Sequence, residues 1–234
     1  SANTVPDHST IAAFISGMKD QIAVVFRYVL TVCCSNGLID GNMFAVDGCK
    51  LPSNASKEWS GTMKHLRKKK EKFEQIAMIL MERHAEEDRK GNTGPAKEIK
   101  ERVEHMKRQA EMIGTFLKTE EPKIGKRGKE IQSNITDNES AKMKTNRGVI
   151  QGYNGLAVAD AKHQVITAAE AFGTGQEGEL LEKMAENTEE NLKDINGSTL
   201  EGKTLLADTN YFSEDNLRKM AGKGINAVIP DQQF

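Results

Sequence analysis

Two aspartates in this sequence have the surroundings that a carboxylate needs to hold a divalent cation. Asp47 follows the apolar run Met43–Val46, and Asp208 follows the run Lys203–Ala207. Each then opens into turn-forming residues, so each carboxylate is expected at the end of a buried strand without being enclosed. The sequence therefore predicts one metal site shared by Asp47 and Asp208. The alternative is that both are turn-forming aspartates, which are common at strand ends.

Composition limits the class of protein. The 234 residues are enough for one large domain, or for one domain with an appendage. Charged residues make up 29% and aromatic residues 5% of the chain, which favours a protein with much exposed helix over a dense β-sandwich. The net charge of −1 provides no global basic field, so any contact with a polyanion must come from local patches.

The sequence also predicts a cytoplasmic protein without a membrane partner. Cys33, Cys34 and Cys49 are odd in number and lack metal-ligand spacing, which is typical of thiols in a reducing cytosol. The N-terminal residues lack the basic region, apolar core and cleavage site of a signal peptide. The apolar run Ile22–Leu30 is too short to span a bilayer and predicts a buried helix.

The order of patterns along the chain predicts a mixed α/β fold. Strands that alternate with helices favour one mixed sheet covered by helices. Residues 148–160 and 163–170 are expected to pair as an antiparallel hairpin. The other predicted elements are helices within 1–40, a strand at 42–47, helices within 57–118, a connector at 119–134, a helix at 177–195, a strand ending at Asp208, a helix at 213–222 and a strand at 227–230.

Two heptad-like apolar stripes lie within residues 57–118, separated by the break Gly91–Pro95. A turn between two such stripes predicts an antiparallel helical hairpin. The stripes are Leu66, Phe73, Ala77, Leu80 and His84, followed by Ile99, Val103, Met106, Ala110, Ile113 and Leu117.

Five blocks, taken in order, resemble bacterial insertion-sequence transposases of the DDE type. The segment Phe44–Gly61 is similar to the first catalytic block of that family, and Leu206–Leu217 is similar to the second. The likeness covers nearly the whole chain. The remaining blocks are Pro6–Ile11, similar to the N-terminal helical segment, Ile135–Lys144, similar to the block before the second strand, and Gly152–Asn154 with Val158–His163, similar to the hairpin that follows.

The resemblance implies an RNase H-like fold that cuts and joins double-stranded DNA at insertion-sequence ends. In that family two aspartates and a glutamate bind two Mg²⁺ (or Mn²⁺) ions; carried over, Asp47 is the first acid and Asp208 the second. Two cations about 3.5–4 Å apart can activate the attacking water or 3′-hydroxyl and stabilise the leaving oxygen. The resemblance also implies a homodimer in the bacterial cytoplasm, associated with the nucleoid.

The family's third acid lies on a helix beyond the last strand, and no residue of this sequence can be assigned to it. The sequence stops at Phe234, and Glu214 lies on the wrong element. We therefore expect a truncated or decayed transposase, and one open alternative is that this chain alone is an inactive fragment. The alternative is a non-catalytic DNA-binding or assembly module derived from a transposase. Smaller departures from the family pattern are Ala12, Ala13 and Ile15 in place of arginines, and Asn210 in place of a glycine.

Three parts of the chain follow from the resemblance. Residues 1–40 are the N-terminal helical segment, residues 41–56 and 119–234 the RNase H-like catalytic domain, incomplete at its C-terminus, and residues 57–118 the helical hairpin inserted after the first strand.

Eight basic residues are candidate contacts to DNA phosphates. The alternative is that they are solvated side chains at strand edges. The basic run His65–Lys72 on the predicted hairpin is a further candidate, although a charge run on such a helix is more often a solvated face. The eight candidates are Lys123, Lys126, Arg127 and Lys129 in the connector, with Lys142, Lys144, Arg147 and Lys162 near the predicted site.

Overall fold

The computed structural model describes residues 5–18, 21–91, 93–125 and 128–231, in which helices and strands alternate. The α-helices are α1 (His8–Gly17), α2 (Ile22–Ser35), α3 (Met63–Arg89), α4 (Thr93–Thr119), α5 (Leu181–Asn196) and α6 (Glu214–Gly222). The strands are β1 (Met43–Pro52), β2 (Ser60–Gly61), β3 (Ser133–Asn134), β4 (Ala141–Thr145), β5 (Gly148–Asp160), β6 (Ile166–Phe172), β7 (Thr204–Leu206) and β8 (Asn226–Val228). Short 3₁₀ turns cover Lys57–Trp59, Gly178–Leu180 and Thr209–Tyr211.

The chain divides into two compact units, and β1 and β5 each run from one unit into the other. We call the first the sheet unit (1–49, 155–171 and 176–234) and the second the hairpin unit (50–154 and 172–175). The predicted fold class is confirmed, since the strands form a mixed sheet flanked by helices, which is compatible with an RNase H-like fold.

In the sheet unit, β1 lies between β5 and β7, β8 lies beyond β7, and β6 pairs with β5. The pairs β1–β7 and β7–β8 are both parallel. Along β1, Phe44 and Val46 are buried and alternate with exposed Ala45 and Asp47, as the two-residue period of a strand requires. The core that covers this buried face includes Leu156, Val158, Leu181, Met184, Leu192, Leu205 and Met220.

The helix ends of the sheet unit follow from their capping residues. Asp7 caps α1, where its carboxylate accepts a hydrogen bond of 2.8 Å from the backbone N–H of Thr10. Ser213 caps α6, where its hydroxyl accepts a bond of 3.1 Å from the N–H of Asn216. Both start signals are legible in the sequence, because Ser and Asp side chains satisfy donors that the first helical turn leaves open.

The predicted helical hairpin is confirmed in the hairpin unit. Helices α3 and α4 pack against each other across a short connection, and every residue of the two predicted stripes is buried or half-buried. Near the start of α3 and the end of α4, Met63, Leu66, Ile113 and Phe116 form a buried cluster. Trp59 packs against this cluster, with its ring centroid 6.1 Å from that of Phe73.

Three local expectations were wrong. Strand β1 does not stop at Asp47 but continues to Pro52, because Gly48 leaves room for the side chain of Leu156. Strand β4 was missed, although exposed Lys142 and Lys144 alternate with buried Met143 and the strand pairs antiparallel with β5. The helix at 177–195 begins instead as a 3₁₀ turn, with α5 starting at Leu181.

Helix α2 is not the buried helix that its apolar sequence predicts. Leu30 is fully buried, whereas Tyr28 is 70% exposed and Val32 is 58% exposed. The helix packs against α5, where Arg27 forms an ion pair of 3.5 Å with Asp194. When a helix is apolar on all sides, its sequence does not show which side packs against a neighbouring element. In α2 that side is the one that carries Leu30. None of the helices in the described ranges is long and apolar enough to cross a membrane.

Candidate functional site

Asp47 and Asp208 occupy matching positions on neighbouring parallel strands of the sheet unit. The registered pairs between β1 and β7 run from Met43 and Thr204 to Ala45 and Leu206, and each aspartate follows two residues after the last pair. Because paired strands lie about 4.8 Å apart, this register brings the two main chains to one edge of the sheet side by side. Strand β7 ends at Leu206, whereas β1 continues past Asp47 to Pro52. Asp47 therefore lies beside the end of β7 and not at the end of its own strand.

Both carboxylates are exposed and already take part in local hydrogen bonds. Asp47 Oδ1 accepts a bond of 2.7 Å from the backbone N–H of Gly48. Asp208 Oδ1 accepts a bond of 2.9 Å from the N–H of Asn210, and Asp208 Oδ2 accepts one of 3.0 Å from the Asn210 side-chain amide. Asp208 thereby caps the 3₁₀ turn Thr209–Tyr211. Each carboxylate oxygen keeps lone-pair capacity for a further ligand.

Tyr211 is buried three residues after Asp208. Its side chain is 1% exposed, and its hydroxyl has no hydrogen-bond partner among the described residues. Burial raises the pKa of Tyr211, and the negative charges of Glu177, Asp208 and Asp47 raise it further. Leaving a buried hydroxyl without a partner costs on the order of 1–3 kcal/mol, so this arrangement needs an explanation.

The donor set at this edge fits a hard divalent cation. Mg²⁺ and Mn²⁺ prefer oxygen ligands, and a few carboxylates leave positions for water and phosphate oxygens. Within the described ranges, no three His, Cys, Asp or Glu side chains converge closely enough to hold a metal ion on their own. A cation at this edge would therefore need further ligands besides Asp47 and Asp208.

A groove of about 840 Å³ in the hairpin unit carries a concentration of basic side chains. Lys69 lies in its wall, where the Lys69 Nζ is 4.4 Å from the centroid of the Trp59 ring and donates to the carbonyl oxygen of Glu58. Burial lowers the pKa of Lys69, and the charge of Glu58 partly offsets this effect. The groove lysines are Lys57, Lys68, Lys69, Lys72 and Lys142.

Four of the basic residues predicted from the sequence are divided between the two units. Lys142 lines the groove, and Lys144 lies on the same face of β4, opposite Val149, which also lines it. Arg147 is exposed in the turn between β4 and β5. Lys162 belongs to the sheet unit, where its Nζ donates a bond of 3.0 Å to the carbonyl oxygen of Gly37.

Lys123 and Lys129, in the connector, do not line the groove. The Lys123 Nζ donates over 3.4 Å to the carbonyl oxygen of Ser140, and burial lowers its pKa although Asp137, Glu139 and Glu120 act in the opposite direction. Lys129 is exposed, and its carbonyl oxygen accepts a bond from the N–H of Gly125. Lys126 and Arg127 lie outside the described residues.

Two other aspartates in the family-like blocks have structural partners. Asp160 is fully buried, and its carboxylate accepts bonds from the N–H groups of Asp40, Gly41 and Lys162. Asp137 accepts a bond of 2.7 Å from the Tyr153 hydroxyl. Both carboxylates therefore hold local backbone or side-chain donors in place.

Sequence reasoning missed one part of the groove. Lys57 was quoted only within the first catalytic block, and it joins the groove through the turn Lys57–Trp59.

The family model described as "Transposase DDE domain" matches residues 114–232, just over half of the 234 residues. The matched range includes Asp208, whereas Asp47 precedes it. Searches of curated proteins and of solved structures give no match. The chain belongs to the transposase DDE domain family.

Proposed function

We propose that this chain cuts DNA at the ends of an insertion sequence and joins the cut ends to a target. Asp47 and Asp208 are the proposed ligands of two Mg²⁺ or Mn²⁺ ions. The observation that supports this most strongly is their shared register on β1 and β7. Two acids 161 positions apart in sequence meet at one sheet edge, inside segments that resemble the two catalytic blocks.

The chain's own part in this reaction is to position charge. Asp47 and Asp208 present exposed carboxylate oxygens at an edge that DNA can reach. The hydrogen bonds from Asn210 orient the Asp208 carboxylate before any ligand arrives. When bound, two divalent cations activate the attacking water or 3′-hydroxyl and stabilise the leaving oxygen. This chemistry needs no covalent enzyme nucleophile.

The basic groove of the hairpin unit is the proposed contact surface for the DNA backbone. Five lysines line it, which concentrates positive charge on a chain whose net charge is −1. Contacts to phosphates fix the position of DNA without reading its sequence. The two copies of a homodimer, implied by the family resemblance, would then each hold one transposon end on the bacterial chromosome.

The test is Mg²⁺-dependent nicking of a plasmid that carries the insertion-sequence end. Asp47→Asn and Asp208→Asn should each abolish nicking, because a neutral amide binds the cations much more weakly than a carboxylate. Asp194→Asn is the matched control, since Asp194 is an exposed residue on α5 that pairs with Arg27. Circular dichroism should show the same fold for all variants. Nicking that survives in both site variants would exclude the mechanism.

A non-catalytic DNA-binding or assembly module is the second candidate. It is favoured by the lack, among the described residues, of a converged group of three metal-binding side chains. If this is correct, the chain binds DNA through the lysine groove. It then neither nicks DNA in the presence of Mg²⁺ nor joins pre-cut ends. A third candidate is a metal nuclease that cuts but does not join, and a strand-transfer assay with pre-cut ends separates it from the transposase.

A further inference from the structure

The exposed apolar side chains of this protein are concentrated in one segment of the sheet unit. Among the described residues, eleven of the 22 large apolar side chains that are exposed lie within residues 5–38. Single exposed apolar residues are normal, whereas a concentration of them marks an interaction surface. Four of the eleven, all on α2, are between 45% and 70% exposed, and we call them the α2 stripe: Val25, Tyr28, Val29 and Val32.

The spacing of the α2 stripe places it on one face of the helix. Residues at positions i, i+3, i+4 and i+7 of a helix lie on the same side, and on α2 this side is opposite to the fully buried Leu30. The side of Leu30 packs against α5, where Arg27 pairs with Asp194. The α2 stripe therefore faces away from the contact that holds α2 on the sheet unit.

The polar groups of α2 are engaged elsewhere. Arg27 is the only Lys, Arg, Asp or Glu in the helix, and its ion pair of 3.5 Å with Asp194 lies on the packed side. The Thr31 and Ser35 hydroxyls donate to carbonyl oxygens of the same helix, over 2.8 and 2.9 Å. A helix that lies on a lipid surface carries several cationic residues, and so does one that binds nucleic acid. The α2 stripe fits neither, and it fits a neutral apolar protein surface.

The α2 stripe is complementary to a second copy of itself. Its spacing is the same in both directions along the helix, with its centre between Tyr28 and Val29. A twofold axis at that centre would place Val25 of one copy against Val32 of the other, and Tyr28 against Val29. In such a contact each residue pair occurs twice, and no like charges meet because the stripe carries none.

Helix α1 adds apolar surface with the same spacing. Ile11, Phe14 and Ile15 are exposed, and each precedes a member of the α2 stripe by 14 residues, which is two heptads. Helix α1 has 10 residues and α2 has 14. One side of a stable protein interface contains about 20–30 residues and buries about 800 Å². The two helices together are therefore long enough to supply one side of such an interface.

We propose that a second copy of this chain covers the α2 stripe, in an antiparallel contact between the two α2 helices. This inference gives an interface to the homodimer of the proposed function, and it rests on that homodimer. It does not depend on the metal site, because none of the contact residues belongs to the aspartate pair or to the lysine groove.

The test is the mass of the full chain in solution, measured by sedimentation equilibrium. The wild type should be a dimer. Val29→Lys and Val29→Glu should each weaken self-association by at least about 100-fold, because like charges then meet beside the axis. Met78→Lys is the matched control, since Met78 is a similarly exposed apolar residue on α3, and its mass should equal that of the wild type. Circular dichroism shows that each variant is folded.

A mixture of Val29→Lys and Val29→Glu tests the symmetry of the contact. In a mixed dimer the lysine of one copy faces the glutamate of the other. The mixed dimer should therefore form at least about 10-fold more tightly than either variant forms with itself. A contact of the α2 stripe with a different surface would give no such recovery, because position 29 would then not meet position 29.

The outcomes separate this inference from the proposed function. A monomeric wild type overturns the interface together with the homodimer, leaves the α2 stripe to a different protein and leaves the metal site to the nicking assay. A dimer that persists in both charged variants, or a mixture without recovery, overturns the inference while the homodimer stands. Dissociation in both variants with recovery in the mixture supports it.

Discussion

Gly178 lies against the carbonyl oxygen of Asn210 so closely that a single added methyl group would stand 2.6 Å from that oxygen. We expect Gly178→Ala to destabilise the protein by about 1–3 kcal/mol, because backbone atoms on one side must move. Gly222→Ala is the control, since nothing lies within 4 Å of a Cβ there and alanine favours the end of α6. Urea denaturation measures both, and equal midpoints would contradict the close contact.

The lysine groove predicts a specific change in the salt dependence of DNA binding. Lys68 and Lys72 lie one helical turn apart on α3 and both line the groove. Each phosphate contact that is lost should reduce the slope of log affinity against log salt by about 0.9 for duplex DNA. The double variant Lys68→Ala/Lys72→Ala should therefore bind more weakly at low salt and with a shallower slope.

Lys64→Ala is the matched control for the groove, because Lys64 is exposed on the same helix without lining it. Its slope should equal that of the wild type. Fluorescence anisotropy with a labelled duplex measures all three proteins. Identical slopes for the wild type and the double variant would show that DNA does not use this groove.

The bond between Tyr153 and Asp137 predicts a pH-dependent stability. Burial favours the neutral form of Asp137, but hydrogen bonds from Tyr153, Ser53 and Ser140 outweigh it and hold its pKa below the ordinary value of 3.8. The carboxylate therefore stabilises the fold above about pH 3.8, and this contribution is lost as the pH falls through the lowered pKa. Tyr153 remains a neutral donor throughout, because burial and then Asp137 raise its pKa to about 12.

Tyr153→Phe should lower the free energy of unfolding by about 1 kcal/mol at pH 7. The difference from the wild type should shrink as the pH falls below about 3.8, because protonated Asp137 no longer needs that donor as strongly. Tyr28→Phe serves as the control, since Tyr28 is 70% exposed on α2. A difference that is constant from pH 7 to pH 3 would rule out this account of the bond.

The seam of the helical hairpin predicts that alanine substitutions at two neighbouring residues of α4 differ strongly in their effect on stability. Ile113 is fully buried, whereas Met112 is 47% exposed. Ile113→Ala should cost about 2–5 kcal/mol, because it removes buried apolar surface and leaves a cavity. Met112→Ala should change stability by no more than about 0.5 kcal/mol. Thermal melts of both variants give the comparison, and similar losses would contradict the assigned seam.

Sequence reasoning located the hairpin well because its signal is local. Spacings of three and four residues bring Leu66, Ala77, Val103 and Ile113 to one side of their helices, and such periodicity can be read without knowing the rest of the fold. The same holds for the caps at Asp7 and Ser213, where a short polar side chain acts within three residues.

The acidic edge could be predicted only in part, because its geometry is non-local. Asp47 and Asp208 stood out by residue type, but their register depends on which strands pair across 161 residues. The wrong end of β1 has a related cause, since the room that Gly48 leaves for Leu156 is visible only after β5 is placed.

The hydrogen bonds of Asn210 have a consequence for how readily the site accepts a ligand. Both oxygens of the Asp208 carboxylate are already anchored, one by the main chain and one by the amide side chain of the same residue. The side chain therefore loses little rotational freedom on capturing an ion, and less of the binding free energy is spent on ordering it. Where a relative carries glycine at this position, only the main-chain anchor is available, so its acid starts from a looser, more entropic state.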